Sequence, residues 1–309
     1  MKTAFVFSGQ GAQYIGMGKE LFDQEAIVQE TFREASDVLG YDMAELCFTE
    51  NDQLNETMYT QPAILTVSIA FYRLLKAKGY QPDVVAGLSL GEYSALVASG
   101  AISFKEAVQL VAKRGKFMAE AAPTGTGKMV AVMNAERSLI EECCQEASGL
   151  GIVSPANYNT PQQIVIGGET LAVDKAVELL TEAGVKRMIP LKVSGPFHTA
   201  LLKPASEKLA IELEKINFAE MTIPVISNTT AQVMEQAEIK ELLEKQVMSA
   251  VRFADSIETI KKMNVDAIIE VGPGKTLTGF IKKIDKEMKT ARVEDEKTLS
   301  ETEALLNGR

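Results

Sequence analysis

The first apolar run, Ala4-Phe5-Val6-Phe7, is continuous rather than alternating, and it stops at Ser8-Gly9-Gln10-Gly11. A strand buried on both faces reads this way. Helical patterns fill roughly 20–78, with Gln61-Pro62 opening the run from Ala63 to Ala77. Asp83-Val84-Val85-Ala86-Gly87 predicts a second short strand, and Glu92 to Ala98 a helix that stops at Gly100. Buried strand, turn and helix in this rhythm predict a parallel α/β sheet. The next helix carries its own start signal: Ser103 can N-cap it and Glu106 completes a capping box. It runs to about Ala121, and Pro123, Gly125 and Gly127 end it.

From Lys128 to about Val193 the rhythm changes. Met129–Met133 reads as a strand, 136–147 as a helix, 151–156 and 163–167 as strands, 170–183 as a helix and 186–191 as a strand. That is β-α-β-β-α-β, the ferredoxin-like order. The expectation is a small subdomain, 128–193, inserted into a core made of 1–127 and 194–309. The core resumes with a helix near 200–215 and strands near 223–227 and 266–271. The acidic, lysine-mixed tail after about 285 reads as a peripheral helix or a frayed end.

Composition narrows the class. With 46% hydrophobic and 24% charged residues the chain is neither disordered nor fibrous. No apolar run is long enough to span a bilayer, and the strand-like start argues against a secretory signal. A net charge of −10 speaks against nucleic acid as the main ligand. Three scattered cysteines, Cys47, Cys143 and Cys144, fit a reducing cytoplasm rather than a disulfide framework. One histidine, His198, leaves no basis for a His-rich metal site, and no metal is expected.

Some motifs fail on inspection. Gly274-Lys275-Thr276 ends like a P-loop, but Ile269 stands where the pattern needs glycine. Gly9-Gln10-Gly11 lacks the third glycine of a dinucleotide fingerprint, because Tyr14 occupies its place. Gly87-Leu88-Ser89-Leu90-Gly91 does not fail. It follows a predicted strand and opens a predicted helix, the setting of a nucleophile elbow. Its plain reading is a serine capping a helix; its chemical reading is an exposed nucleophile beside a helix N-terminus. A nucleophilic serine needs a base, and His198, where the insert returns to the core, is the only imidazole available. No Asp or Glu lies near His198 in sequence, so the residues give a Ser–His pair with its third member open. Arg114 falls on the apolar stripe of Ala107, Leu110, Val111, Phe117, Met118 and Ala121. A guanidinium there is paired internally, reaches out to water, or holds a substrate carboxylate.

Taken together and in order, these residues resemble the malonyl-CoA:acyl-carrier-protein transacylases of bacterial type II fatty-acid synthesis. They are also similar to the acyltransferase domains of polyketide synthases. The motifs are Phe7-Ser8-Gly9-Gln10-Gly11-Ala12-Gln13, Gly87 to Leu96, Arg114-Gly115, Pro155-Ala156-Asn157-Tyr158-Asn159, Ser227-Asn228, Gln246, Val251-Arg252-Phe253 and Glu270 to Gly274. The resemblance runs from Phe5 to about Ile281. It implies an α/β-hydrolase-like core with a ferredoxin-like insert, and ping-pong transfer of malonyl from malonyl-CoA to the phosphopantetheine thiol of acyl carrier protein, with no bound cofactor. By the same resemblance Ser89 carries the acyl ester, His198 is the base, and Arg114 holds the malonyl carboxylate. The N–H groups of Gln10 and Leu90 form the oxyanion hole, the Gln246 carbonyl orients His198, and Gln61 and Asn157 line the pocket. Phe197 resembles the pattern of malonyl-selective domains, where a bulky ring crowds an α-methyl branch. Many relatives carry histidine at the position of Leu88; here the departure leaves His198 without a rival. A stand-alone cytoplasmic monomer is expected. Lys186, Arg187, Lys192, Lys113 and Lys116 are candidates to meet an acidic carrier protein.

Overall fold

The computed structural model describes residues 1–193 and 195–308. Ser194, where the return to the core was expected, and Arg309 lie outside the described residues. β1 (Thr3–Phe7) is followed by α1 (Lys19–Gln24), α2 (Ala26–Leu39), α3 (Met43–Phe48) and the long α4 (Thr57–Ala77). β2 (Val84–Gly87) turns sharply into α5 (Gly91–Ala98), and α6 (Phe104–Ala121) comes next. Then follow β3 (Lys128–Met133), α7 (Arg137–Ala147), β4 (Val153–Thr160), β5 (Gln163–Gly168), α8 (Thr170–Glu182) and β6 (Arg187–Pro190). The remainder is α9 (Lys203–Glu214), α10 (Ile239–Gln246), α11 (Phe253–Lys262), β7 (Ala267–Val271), α12 (Thr276–Ile284), β8 (Lys289–Val293) and α13 (Glu296–Leu306).

The strands form two sheets. The first is parallel, in the order β2-β1-β7-β8. Every residue of β1, β2 and β7 is buried, which is why their sequences do not alternate. Successive side chains still serve opposite faces. Phe5 and Phe7 join the large core under α2, α4 and α6, while Ala4 and Val6 join a smaller one with Ile257 and Leu277. Each fully buried phenylalanine contributes roughly 1.5–3 kcal/mol of transfer free energy. The second sheet has the order β4-β5-β3-β6, with every pair antiparallel. That is the ferredoxin-like arrangement expected of this segment. It is tied to the rest of the chain beside β4: Tyr158 N–H donates to Val251 O, and Val251 N–H to Ala156 O, both at 2.9 Å. Arg137 adds a fork on Asp255 at 3.0 and 3.1 Å, stacked on the Tyr158 ring.

Three expectations need correction. Pro62 does not open its helix; α4 begins at Thr57 and contains Pro62. Thr57, Thr60 and Gln61 are buried, so packing extends the helix upstream of the proline. The segment 223–227 is not a strand. It touches β2 through one parallel bridge, Val85 to Val225, because Pro224 has no N–H and the chain then folds back to pair Ile226 with Val233. The tail is neither wholly helical nor frayed. β8 pairs in parallel with β7 before α13. Its charged, half-exposed residues are those of an edge strand, and they hid it among the surrounding lysines and glutamates.

The close approach of α5 to β1 rests on Gly91, where an added Cβ would lie 2.1 Å from the Phe7 carbonyl oxygen. Backbone faces backbone there, so neither side can give. Gly91→Ala should lower the unfolding free energy by about 3 kcal/mol in urea titration, the upper range of overpacking. Gly279→Ala, in α12 with nothing within 4 Å of the new methyl, should instead raise it by roughly 0.5–1 kcal/mol.

Candidate active site

The turn from β2 to α5 places Ser89 at its apex with φ +54°, a left-handed conformation that a non-glycine residue adopts only under constraint. The constraint is Asn228. Its Oδ1 accepts the Ser89 N–H at 2.7 Å and its Nδ2 donates to the Gly87 carbonyl at 2.6 Å. With its own N–H so engaged, the elbow presents the Ser89 hydroxyl to a pocket of about 500 Å³. Gln10, Gly11 and Leu88 line this pocket from the parallel-sheet side, and Met129, Asn157, Lys192 and Val193 from the other.

His198 also has a left-handed backbone, φ +62°, and its N–H donates to Val247 O at 3.1 Å. That pose brings Nε2 to 2.7 Å from Ser89 Oγ and Nδ1 to 2.8 Å from the main-chain oxygen of Gln246. A carbonyl only accepts, so Nδ1 carries the proton and Nε2 is left as an acceptor for the serine hydroxyl. Burial first, and then the nearby Arg114 charge, hold the imidazole down to about 4. It is therefore a neutral base at ordinary pH.

Arg114 is 1% exposed. The helix α6 can deliver it because Gly115 lets α6 press on the start of α4, where an added Cβ would stand 2.5 Å from Thr57 O. Nη1 donates to Gln61 Oε1 at 2.8 Å, and Nη2 to Gln246 Oε1 at 2.7 Å and to Ser89 Oγ at 3.1 Å. The guanidinium carbon lies 5.3 Å from the centre of the Tyr93 ring. Among the described residues no carboxylate comes within 4.0 Å of it, and Nε has no partner. Of the three readings of this residue, the direct ion pair and the escape to water are both removed. Burial lowers its pKa below the usual guanidinium value, although Tyr93 and Glu92 pull the other way.

Eight of the nine residues expected at the site converge, and Leu90 follows Ser89 in the elbow. Ser89, His198, Arg114, Gln61 and Gln246 are hydrogen-bonded into one cluster, and Gln10, Asn157 and Phe197 line the pocket. Among the described residues the backbone N–H groups of Gln10 and Leu90 have no hydrogen-bond partner. Gln10 reaches the cluster by its side chain too, accepting from Gln61 Nε2 at 3.3 Å. Two participants had no assigned role in the sequence. Asn228 stood in a quoted motif, and Glu92 followed the elbow in what read as ordinary helix. Glu92 is fully buried, and burial pushes its carboxyl up to about 7 against the Asn228 N–H and Arg114. A charged residue one position past an elbow glycine, on a helix with no polar face, was the available signal. Among the described residues no group of three His, Cys, Asp or Glu side chains could hold a metal ion.

The model for the acyl transferase domain matches residues 4–299. The malonyl CoA-acyl carrier protein transacylase of Bacillus subtilis (strain 168) is 47% identical over 301 residues, covering 96% of this chain and 95% of that protein. The crystal structure of MCAT from Streptococcus pneumoniae superposes with a TM-score of 0.97 at 60% identity, covering 100% of both chains. A malonyl-transacylase solved in complex with its type II PKS acyl-carrier protein gives a TM-score of 0.95 at 42% identity, again over 100% of both chains. The chain belongs to the acyltransferase family, in the group of malonyl CoA-acyl carrier protein transacylases.

Proposed function

We propose that this chain moves a malonyl group from coenzyme A to the phosphopantetheine thiol of an acyl carrier protein, as a ping-pong acyltransferase. The observation that carries the reading is the buried Arg114 guanidinium, unpaired with any carboxylate among the described residues and 3.1 Å from Ser89 Oγ. An acyl group on Ser89 that ends in its own carboxylate supplies the missing anion. One that lacks it leaves the cation buried and unanswered.

Ser89 Oγ attacks the thioester carbonyl while His198 Nε2 takes its proton. The developing oxyanion sits between the N–H groups of Gln10 and Leu90. The imidazolium, steadied through Nδ1 by the Gln246 carbonyl, returns the proton to the departing coenzyme A thiolate. In the second half the carrier's thiol gives its proton to His198, attacks the ester carbonyl, and frees Ser89. Phe197 and Met118 narrow the same pocket, favouring malonyl over an α-branched extender. Residues 128–193 serve as a separate subdomain that supplies one wall of the pocket. No helix among the described residues is long and apolar enough to cross a membrane. On this proposal the protein is a cytoplasmic monomer without a bound cofactor.

For the carrier, Lys192 at the pocket and exposed Lys186 and Arg187 at the end of the insert are the candidate contacts. Lys116 is exposed on α6, whereas Lys113 is engaged with Glu212 at 2.8 Å. Against a chain of net charge −10, docking through these cations is strongly screened by salt. Transfer to the carrier should slow several-fold between about 0.05 and 0.5 M salt, and in Lys186→Glu/Arg187→Glu it should be slow at both. A rate indifferent to salt would place docking elsewhere.

Intact-mass measurement after brief exposure to malonyl-CoA, then to holo acyl carrier protein, tests the reaction itself. A malonyl adduct absent in Ser89→Ala and discharged onto the carrier is expected. Hydrolysis of the adduct outrunning its transfer would make the protein a hydrolase instead. Arg114→Ala should cut malonyl loading about a hundredfold while sparing acetyl loading, the scale of a lost charge-assisted bidentate contact. Equal losses would remove the clamp. With acetyl-CoA, which reads only the Ser–His chemistry, the single-turnover rate should stay level from pH 8 down to about 5. It should then fall toward the His198 value of about 4. A fall centred near 6.5, the ordinary imidazole value, would contradict a buried neutral base.

A further inference from the structure

Beneath the elbow lies a carboxylate that none of these steps uses. Glu92 Oε2 accepts the Asn228 N–H at 2.6 Å, and Oε1 accepts from Gln246 Nε2 at 3.2 Å. Each partner has other work. Asn228 holds Ser89 N–H and Gly87 O. Gln246 Nε2 also donates to Ser89 O at 2.9 Å, its Oε1 takes Arg114 Nη2 at 2.7 Å, and its main-chain oxygen takes His198. A glutamine amide has one donating end and one accepting end. Two acceptors, Ser89 O and Glu92, face one end of Gln246, so the other end must offer Oε1 to Arg114.

We propose that Glu92 is a positioning residue for acyl selectivity: as a carboxylate it fixes the Gln246 amide, and through it the Arg114 guanidinium, in the setting that receives a substrate carboxylate. The inference rests on the reading of Arg114 as the malonyl clamp. A neutral group at position 92, acid or amide, carries a hydrogen of its own, so only its carbonyl oxygen remains a good acceptor and neither bond is charge-assisted. The Asn228 N–H is main chain and stays. The Gln246 amide then keeps only Ser89 O as acceptor for its NH2 and loses the charged one. Its Oε1 is held less firmly toward the Arg114 guanidinium.

The switch is a titration. The titratable groups facing Glu92 are Arg114 from α6, Tyr93 from its own helix and, across Gln246, His198; beside Asn228 the Arg252 guanidinium is turned to Thr230 O and Asp255. Burial outweighs the favourable Arg114 charge and Asn228 N–H and lifts the carboxyl to about 7. Glu92 is ionised above that pH and neutral below it. Selectivity for malonyl is therefore present on the alkaline side and is lost as pH falls through about 7.

The test measures single-turnover loading of Ser89 from malonyl-CoA and from acetyl-CoA by intact mass, between about pH 5.5 and 8.5. It compares the native chain with Glu92→Gln, Gln246→Ala and the double variant. In the native chain the malonyl-to-acetyl ratio should rise through pH 7. In Glu92→Gln the ratio should be about tenfold lower at pH 8 and flat with pH, the scale of one lost charge-assisted hydrogen bond. Acetyl loading should hold within a few-fold. The double variant should be no less selective than Gln246→Ala, since Glu92 acts through that side chain. Equal loss of both acyl groups in Glu92→Gln, or a ratio in the native chain that ignores pH, overturns the inference. If Glu92→Gln does not fold, the native pH series decides alone. A native chain that takes no malonyl at any pH refutes the clamp itself, a different result.

Discussion

A guanidinium buried without a counter-carboxylate among the described residues is the constraint around which this site is built. Removing a full charge from water is expensive, and in most interiors an adjacent carboxylate offsets it. Here Arg114 leans on two glutamine oxygens, a serine hydroxyl and the face of a tyrosine ring. Neutral dipoles hold the cation in place without cancelling it. The residual field lowers the basicity of His198 and moderates Glu92. Ser89, His198 and the Glu92 carboxyl are therefore linked through one charge, and on the proposed reading the site is set for an anion before one arrives.

Backbone contacts give that arrangement its rigidity. The elbow lies against β1 at a separation only glycine allows, and α6 meets the start of α4 in the same way. Side-chain packing can relax by rotamer changes, whereas main chain on main chain cannot. The left-handed conformations of Ser89 and His198 are held by hydrogen bonds that their N–H groups donate to Asn228 and Val247, which come from distant stretches of the chain. Strain at Ser89 and His198 is thus borne by tertiary structure rather than by local sequence.

This division explains what could be read in advance. The elbow is local: strand, glycine, serine, glycine and helix follow one another, and the plain chain betrays them. Arg114 is legible for a related reason, because the 3.6-residue period puts it on a face where a charge does not belong. The hairpin order of the insert follows from alternation and turn residues. What stays hidden depends on partners far along the chain. The turn at 226–233 looks like a strand until Pro224 and the bridge to Val85 are seen together. β8 looks like solvated tail because its neighbour β7 contributes the apolar contact. The Gln246 side chain is the clearest case. Nothing within α10 marks it, and only the fold brings it between Ser89, Glu92 and Arg114. The motif resemblance located Gln246 and Asn228, but it said nothing of the amide geometry that joins them to Glu92.

The chain of 309 residues contains one imidazole, and it stands at the centre of this network. Chemistry usually has to be disentangled from a background of surface histidines, and here there is none. Isotopic labelling of histidine nitrogen alone would yield one ring with two resonances. One reports the Gln246 carbonyl and the other the Ser89 hydroxyl, the proposed acyl carrier. Acylation, proton transfer and any turn of the amide beneath would each be registered by a single native nucleus pair, with no substitution introduced. The protein thus carries its own spectroscopic probe 2.7 Å from Ser89 Oγ.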